Sequence, residues 1–347
     1  MKQRLLILLM SFIAVASGAW ALDQDSEGYC LISSPQDWKD FAELVKTTPT
    51  VNAKMTADII LDNDQTMVGS IEFPYQGTFD GMGHTLIVNF DNYYTFDMGA
   101  VAPFACVKNA TIQNLHVDGS MKQQYCGAGG VAGTILGNLT ISRCWVSAYM
   151  YVHGYGNYQG TIGGIASYCD DPTVTNCEIL IEDCVFTGVM ATSIHSGSMM
   201  SHVNGGYSNH ATIRNCLSLG SFPGASGSTG TFIRAIQGNS FAIENCYYKT
   251  SWGTVQGTQA TEEQISDGTT ATALQADREE QVWVQDKNLG IPMLTIISQN
   301  YDPDGIHSVN SSGLIDNGQR IYNLSGQRIN KVQKGINIVN GKRILRP

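Results

Sequence analysis

The chain reads as an all-β protein, a parallel β-helix in which short strands stack as successive coils of a solenoid. An N-terminal cap helix and a small C-terminal β tail flank it. Three observations predict this. A phrase of two short strands about a polar break, clearest at residues 212–220 (TIRNCLSLG), recurs at 111–119, 140–147, 174–179, 181–188 and 242–248. The residue before its second strand is Leu115, Cys144, Cys177, Cys184, Cys216 and Cys246; with Cys177 set aside, the intervals are 29, 40, 32 and 30 residues. A near-constant period means copies of one unit that bury their apolar faces on each other. Composition agrees, because charged residues are only 14% of the chain and 37 of its 347 residues are Gly. Such a chain favours strands and turns over long helices.

Residues 1–21 carry Lys2 and Arg4, an apolar run over 5–16 and the small-residue site Ala19-Trp20-Ala21. This is the pattern of a secretory signal peptide, cut after Ala21. Residues 22–297 then form the β-helix domain. Ser34 is a suitable helix N-cap, Pro35 suits the first helical position, and Trp38, Phe41, Leu44 and Val45 fall on one face. The spacing predicts a helix over 35–46 that covers the open end of the solenoid. Strands are predicted at 29–32, 55–61, 71–73 and 85–90, with a tight turn at Gly81 and Gly83. Residues 147–160 and 189–210 read as insertions, and 258–294 as the closing unit, with helices near 262–265 and 272–276 and strands at 282–284 and 291–297. Residues 298–317 read as a linker. Residues 318–347 read as a separate hairpin module, with a strong turn signal at Asn340-Gly341.

The cysteines sort by position in the repeat. Cys144, Cys184, Cys216 and Cys246 occupy equivalent places, so their side chains point the same way in successive layers about 4.8 Å apart. A disulfide instead needs Cβ atoms facing each other at roughly 3.8 Å. The spacing favours a ladder of buried thiols over a disulfide framework. Asn215 and Asn245 precede two of these cysteines, and Asn tolerates the left-handed backbone a sharp bend requires.

The phrases also carry a resemblance. The run GTFDGMGHTL at 77–86, preceded by a Trp-containing helix and ADIIL at 57–61, resembles the opening of GLUG-type repeat proteins. GAVAPFA at 99–105 is similar to that family's GLFG strand, and the GGVAG and GGIA runs at 129–133 and 163–166 to its GGIAG strand. Over residues 29–297 the resemblance implies an exported bacterial surface protein built as a right-handed parallel β-helix. The tail, with IYNLSGQRI at 321–329 and GINIVNGKRIL at 335–345, resembles C-terminal modules of exported Bacteroidetes proteins. Some of those are read by the type IX secretion machinery, which that resemblance makes an expected partner.

Charge narrows the other partners. Residues 22–305 hold 11 Lys+Arg against 29 Asp+Glu, and residues 306–347 hold 7 against 1. An acidic body repels nucleic acid phosphates. No stretch after the signal peptide has about 18 uninterrupted apolar residues, so no stable transmembrane segment is expected. Asp80 and His84 lie in the Gly-rich turn, where a structural role fits them. His195, His202 and His210 share neither helical nor strand ligand spacing. The acidic turns 62–64, 170–171 and 302–305 could hold calcium but follow no full calcium-loop pattern. No cofactor is expected.

One patch does suggest recognition. Tyr149, Tyr151, His153, Tyr155 and Tyr158 fall within ten residues. In an extended run, alternation puts Tyr149, Tyr151 and His153 on one face, and exposed aromatic rings suit sugars or protein partners. The leading expectation is an adhesin-like exported protein at the cell surface or outside the cell, binding a glycan or a host or surface protein through solenoid side loops. A polysaccharide lyase or glycoside hydrolase on the same scaffold, and a structural spacer, are the alternatives.

Overall fold

Each copy of the repeated phrase folds as two short strands joined by a corner. The structure, a computed structural model, describes residues 22–301 except 62–63, 94–99, 124–126, 154–159, 170, 172, 192–194, 204–207, 224–227 and 235–239. Beyond 301 it describes five tail strands. The first strand of each phrase joins an eight-stranded sheet. Its strands run in chain order: Cys30–Ile32, Ala53–Met55, Thr78–Asp80, Ala110–Gln113, Leu139–Ser142, Glu178–Glu182, His210–Arg214 and Phe241–Glu244. The second strand joins a ten-stranded sheet, and two four-stranded sheets complete the coil. The ladders between successive coils are parallel throughout. The chain is therefore the expected parallel β-helix.

The corner is set by a left-handed residue. Asn114, Arg143, Asp183, Asn215 and Asn245 stand at the same place in five coils, with φ between 46° and 55°. Asn245 Nδ2 donates to Asn215 Oδ1 at 2.9 Å, and Asn114 Nδ2 to Asp80 Oδ1 at 2.9 Å, so the corner residues bond along the column. The next residue points inward. Cys144, Cys184, Cys216 and Cys246 are buried, and their thiols are free. Each Sγ has two carbonyls within reach of its single proton, one two residues earlier and one in the preceding coil. Burial holds the thiols of Cys144 and Cys216 well above the usual range.

Cys177 belongs elsewhere. It precedes the strand Glu178–Glu182, whereas Cys184 follows it. Residues 174–179 are therefore not a further copy of the phrase. They form a different corner, bent by Asn176 at φ 58°, and the shared Asn-Cys wording reflects a shared need for left-handed backbone.

The cap helix runs Pro35–Thr47, with Ser34 Oγ accepting from the Asp37 N–H. Trp38, Phe41, Ala42 and Val45 are buried. Trp38 and Phe41 meet Phe79, Tyr75 and Phe104 in a ring cluster with centroids 5.0 to 6.2 Å apart. Two expected strands differ. Residues 55–61 split into Ala53–Met55 and Ile59–Leu61, in two sheets, because the chain turns a corner between them. Residues 71–73 form no strand: Ser70 and Phe73 close a turn, and Ile71 is left 45% exposed.

The closing unit does more than end the stack. Thr258–Gln259 adds a last parallel strand. Helices Glu262–Ser266 and Thr269–Gln275, the hairpin of Trp283–Asp286 with Ile291–Leu294, and the short helix Thr295–Ser298 follow. The strand predicted over 291–297 thus stops at Leu294. This segment packs Leu274, Trp283, Met293 and Ile297 against the outward side chains Trp145, Val185 and Leu217 of the ten-stranded sheet. It also bonds along the corner column. Asn245 Nδ2 donates to Ala273 O at 3.1 Å, and Asn300 Nδ2 to Met82 O at 2.9 Å. Between them, Arg143 pairs with Glu280 at 2.9 Å. Arg278 Nη1 meets both oxygens of Asp183 at 2.8 Å, and Trp283 Nε1 donates to Asp183 Oδ1 at 2.8 Å. The segment is a strap running back over the coils. In the tail, the antiparallel strands Ile321–Asn323, Arg328–Ile329, Gly335–Val339 and Lys342–Arg346 are joined by His307–Ser308, so the expected linker contributes one strand.

The two ion pairs of the strap differ in burial, which sets their worth. The Asp183 carboxylate is 6% exposed, while Arg143 and Glu280 are 37% and 66% exposed. Replacing Asp183 with Ala strands a guanidinium and an indole N–H and should cost about 3 kcal/mol. Arg143→Ala should cost no more than about 1 kcal/mol. Urea unfolding of the two variants checks this, and equal losses would contradict it.

Candidate functional site: an aromatic face on the outer sheet

The aromatic run folds as the strand Tyr149–Val152, held between Ser120–Gln123 on one side and Val189–Ala191 on the other. Met150 and Val152 point inward and are fully buried. Tyr149 and Tyr151 therefore point out, as alternation requires. Tyr149 is 38% exposed, and His153 is exposed just beyond the strand. The rings of Tyr151 and His153 lie parallel, 8° apart in plane with centroids at 6.4 Å, and Tyr151 Oη sits 3.4 Å from His153 Nδ1. Tyr155 and Tyr158 lie outside the described residues.

The neighbouring coil adds polar groups. Ser120 stands beside Tyr149 and Lys122 beside Tyr151. Ser120 Oγ donates to Asn89 Oδ1 of the coil before it at 2.9 Å. The face thus combines flat rings with a hydroxyl, an amide and an ammonium on a rigid sheet. The two expected insertions, 147–160 and 189–210, meet there through their first strands, since Tyr149–Val152 pairs with Val189–Ala191. The described part of 189–210 then continues as His195–Gly197 and Met200–Val203, in two other sheets.

The remaining candidates fall into structural roles. Asp80 accepts from the Met82 N–H, Asn114 Nδ2 and Gln113 Nε2, so it ties the first Gly-rich turn to the next coil. His84 Nδ1 lies 3.1 Å from Asp58 Oδ1. His195, His202 and His210 stand in three different sheets, and His210 Nδ1 meets Ser240 Oγ at 2.7 Å. Among the described residues no three His, Cys, Asp or Glu side chains converge as a metal site, and no helix is long and apolar enough to cross a membrane.

One group escaped sequence reasoning. His116 is 1% exposed, with Nε2 2.8 Å from Ser147 Oγ and Nδ1 3.0 Å from Thr85 Oγ1. Its ring stacks on Trp145, centroids 3.7 Å apart and planes 7° apart, with Tyr301 of the strap edge-on at 5.4 Å. A serine bonded to a histidine invites a nucleophilic reading. Here Nδ1 faces a hydroxyl where such a site has an orienting carboxylate, and burial lowers the pKa to about 4, far from a useful base. His116 is an anchor for the strap. The available signal was its place in the phrase, the position that Trp145, Val185 and Leu217 take in later coils.

A buried neutral histidine makes stability fall with acid. The unfolded chain binds this proton near pH 6.5 and the folded chain only near pH 4, so its contribution is complete above about pH 6.5 and is lost as the pH falls toward 4. The loss should reach about 3 kcal/mol. Urea unfolding at pH 7 and pH 4.5 should show a smaller acid loss in His116→Gln than in the native chain. Parallel pH profiles would contradict the assignment.

No family model and no curated protein matches the chain. Among solved structures, it is similar to the crystal structure of a protein from Bacteroides ovatus described as a "putative immunoglobulin A1 protease". The match has 16% sequence identity and a TM-score of 0.50, and covers 79% of this chain and 94% of that one. At that identity the likeness is one of fold, and it agrees with the stacked parallel sheets described above.

Proposed function

We propose that the chain is a non-enzymatic, exported repeat protein that binds a glycan at the cell surface or outside the cell, through the aromatic face of the ten-stranded sheet. The observation that carries this reading is the pair of parallel rings at Tyr151 and His153, with Tyr149 exposed beside them on the same strand. Sugar rings present flat C–H faces that pack on aromatic rings, and hydroxyls that bond to polar groups at the edge. Lys122, Ser120 and Asn89 supply such an edge in neighbouring coils. The strand is anchored by buried Met150 and Val152 and paired on both sides, so little order has to be gained on binding. Residues 1–21 and the tail are the parts of this reading that concern export, with the tail as the segment addressed by secretion machinery.

A glycan array, with hydrolysis products followed in parallel, tests this directly. The native chain should retain at least one glycan class uncleaved, and Tyr149→Ala with Tyr151→Ala should weaken it tenfold or more, equivalent to about 1.4 kcal/mol. Absence of any glycan hit, or a hit that the double variant leaves intact, would overturn the proposal. Binding only to protein probes would favour a host-protein adhesin, and steady release of cleaved sugar a hydrolase.

A further inference from the structure

A second recess lies at a different corner of the coil. After the strand Ala132–Ile135, three residues, 136–138, lead into Leu139; in the next coil nine residues, 170–178, make the same step from Ala166–Cys169 to Ile179. Of these nine, the described residues 171 and 173–177 line a cleft of about 550 Å³ together with residues of the coils before, a size that suits a small ligand.

This wall of the cleft is a built element. Asp171 Oδ1 accepts from the Thr173 N–H at 2.7 Å and from Thr173 Oγ1 at 2.6 Å, closing a local turn. Val174 is 8% exposed and anchors the segment, and Asn176 takes the left-handed conformation that turns the chain back. The following coil clamps it from below. Asn209, fully buried, donates from Nδ2 to Val174 O at 2.8 Å and accepts at Oδ1 from the Cys177 N–H at 2.9 Å.

The cleft runs along the solenoid axis across successive coils. Asn109 and Asn138 form its polar row. Asn109 Oδ1 accepts from the Asn138 N–H at 3.1 Å, and Asn138 Oδ1 from the Glu178 N–H at 3.0 Å. Each amide thus commits its oxygen to the next coil and keeps two N–H donors for a ligand. Lys108 adds an ammonium and Asp171 a carboxylate, while Ile71 and Leu136 give aliphatic surface at the side.

The geometry points to this cleft as a binding site for a neutral saccharide, separate from the aromatic face. Donors and acceptors stand together on its wall, and a sugar hydroxyl is both at once. Neighbouring hydroxyls can accept from the asparagine row and Lys108 and donate to Asp171, while ring C–H groups meet Ile71 and Leu136. A charged ligand fits less well. Lys108 and Asp171 cancel, and the acidic body, 11 Lys+Arg against 29 Asp+Glu over residues 22–305, repels anions.

Saturation-transfer NMR on the full chain, with maltose, lactose and diacetylchitobiose as neutral probes and glucuronate as the acidic one, tests this. At least one neutral disaccharide should bind. Lys108→Ala with Asp171→Asn, which keeps the Asp171 turn acceptor, should weaken it tenfold or more. The comparison is made in the Tyr149→Ala, Tyr151→Ala background, so that the aromatic face does not contribute. There, no neutral binding, binding of glucuronate alone, or neutral binding that Lys108→Ala with Asp171→Asn leaves intact would overturn the assignment, without bearing on the aromatic face.

Discussion

The fold depends on one backbone constraint, a corner that turns through the left-handed region at the same place in five coils. Asn, Asp and Gly meet that demand at least cost. Three of the five equivalent corners here use Asn, and one uses Asp. Once the corner is made, the following side chain is forced inward at a fixed place. A leucine fills it in one coil and cysteines in the next four. A thiol is small and apolar, and its one proton can be donated weakly to a carbonyl, here either within its own coil or in the one before. The column therefore fills this inward position coil after coil and helps to keep the coils in register.

The departures from Asn at the corner have a cause. Arg143 and Asp183 stand where Asn would be easier for the backbone, and both are bound by the strap, Arg143 to Glu280 and Asp183 to Arg278 and Trp283. Backbone strain at Arg143 is accepted in exchange for a contact between distant parts of the chain. Stacked repeats otherwise interact only with their neighbours, and their ends open independently. A strap that touches the corner column at Asn245, Asp183, Arg143 and Met82 ties these coils together and covers the outward apolar side of one sheet. Tyr149 and Tyr151 stand on another part of that sheet, among strands outside the group that the strap packs against.

Much of this was legible in the chain. Period and phrase predicted the coils, Ser34-Pro35 and the apolar face the cap helix, and alternation the outward direction of Tyr149 and Tyr151. The failures have physical reasons. Residues 55–61 look like one strand because nothing apolar is lost at the corner between Met55 and Ile59. The wording around Cys177 imitates the repeated phrase because two corners of a coil share the same backbone demand. Residues 170–178 were not seen as an insertion, since that false copy absorbed part of the long 40-residue interval. The strap's direction was beyond reach because it rests on pairs such as Asp183 with Arg278, 95 residues apart, which carry no local pattern. His116 was missed for the same reason: its partners come from three other places, Thr85, Ser147 and Tyr301.

The thiol column is the point at which the account is most exposed to test. Alkylation of the chain without reductant, followed by mass-spectrometric mapping, reads it directly. Cys144, Cys184, Cys216 and Cys246 should resist labelling in the folded protein and should all be labelled once it is denatured. Disulfide-linked peptides at these positions, or no more than one free thiol in the denatured chain, would contradict the corner column as the basis of the fold.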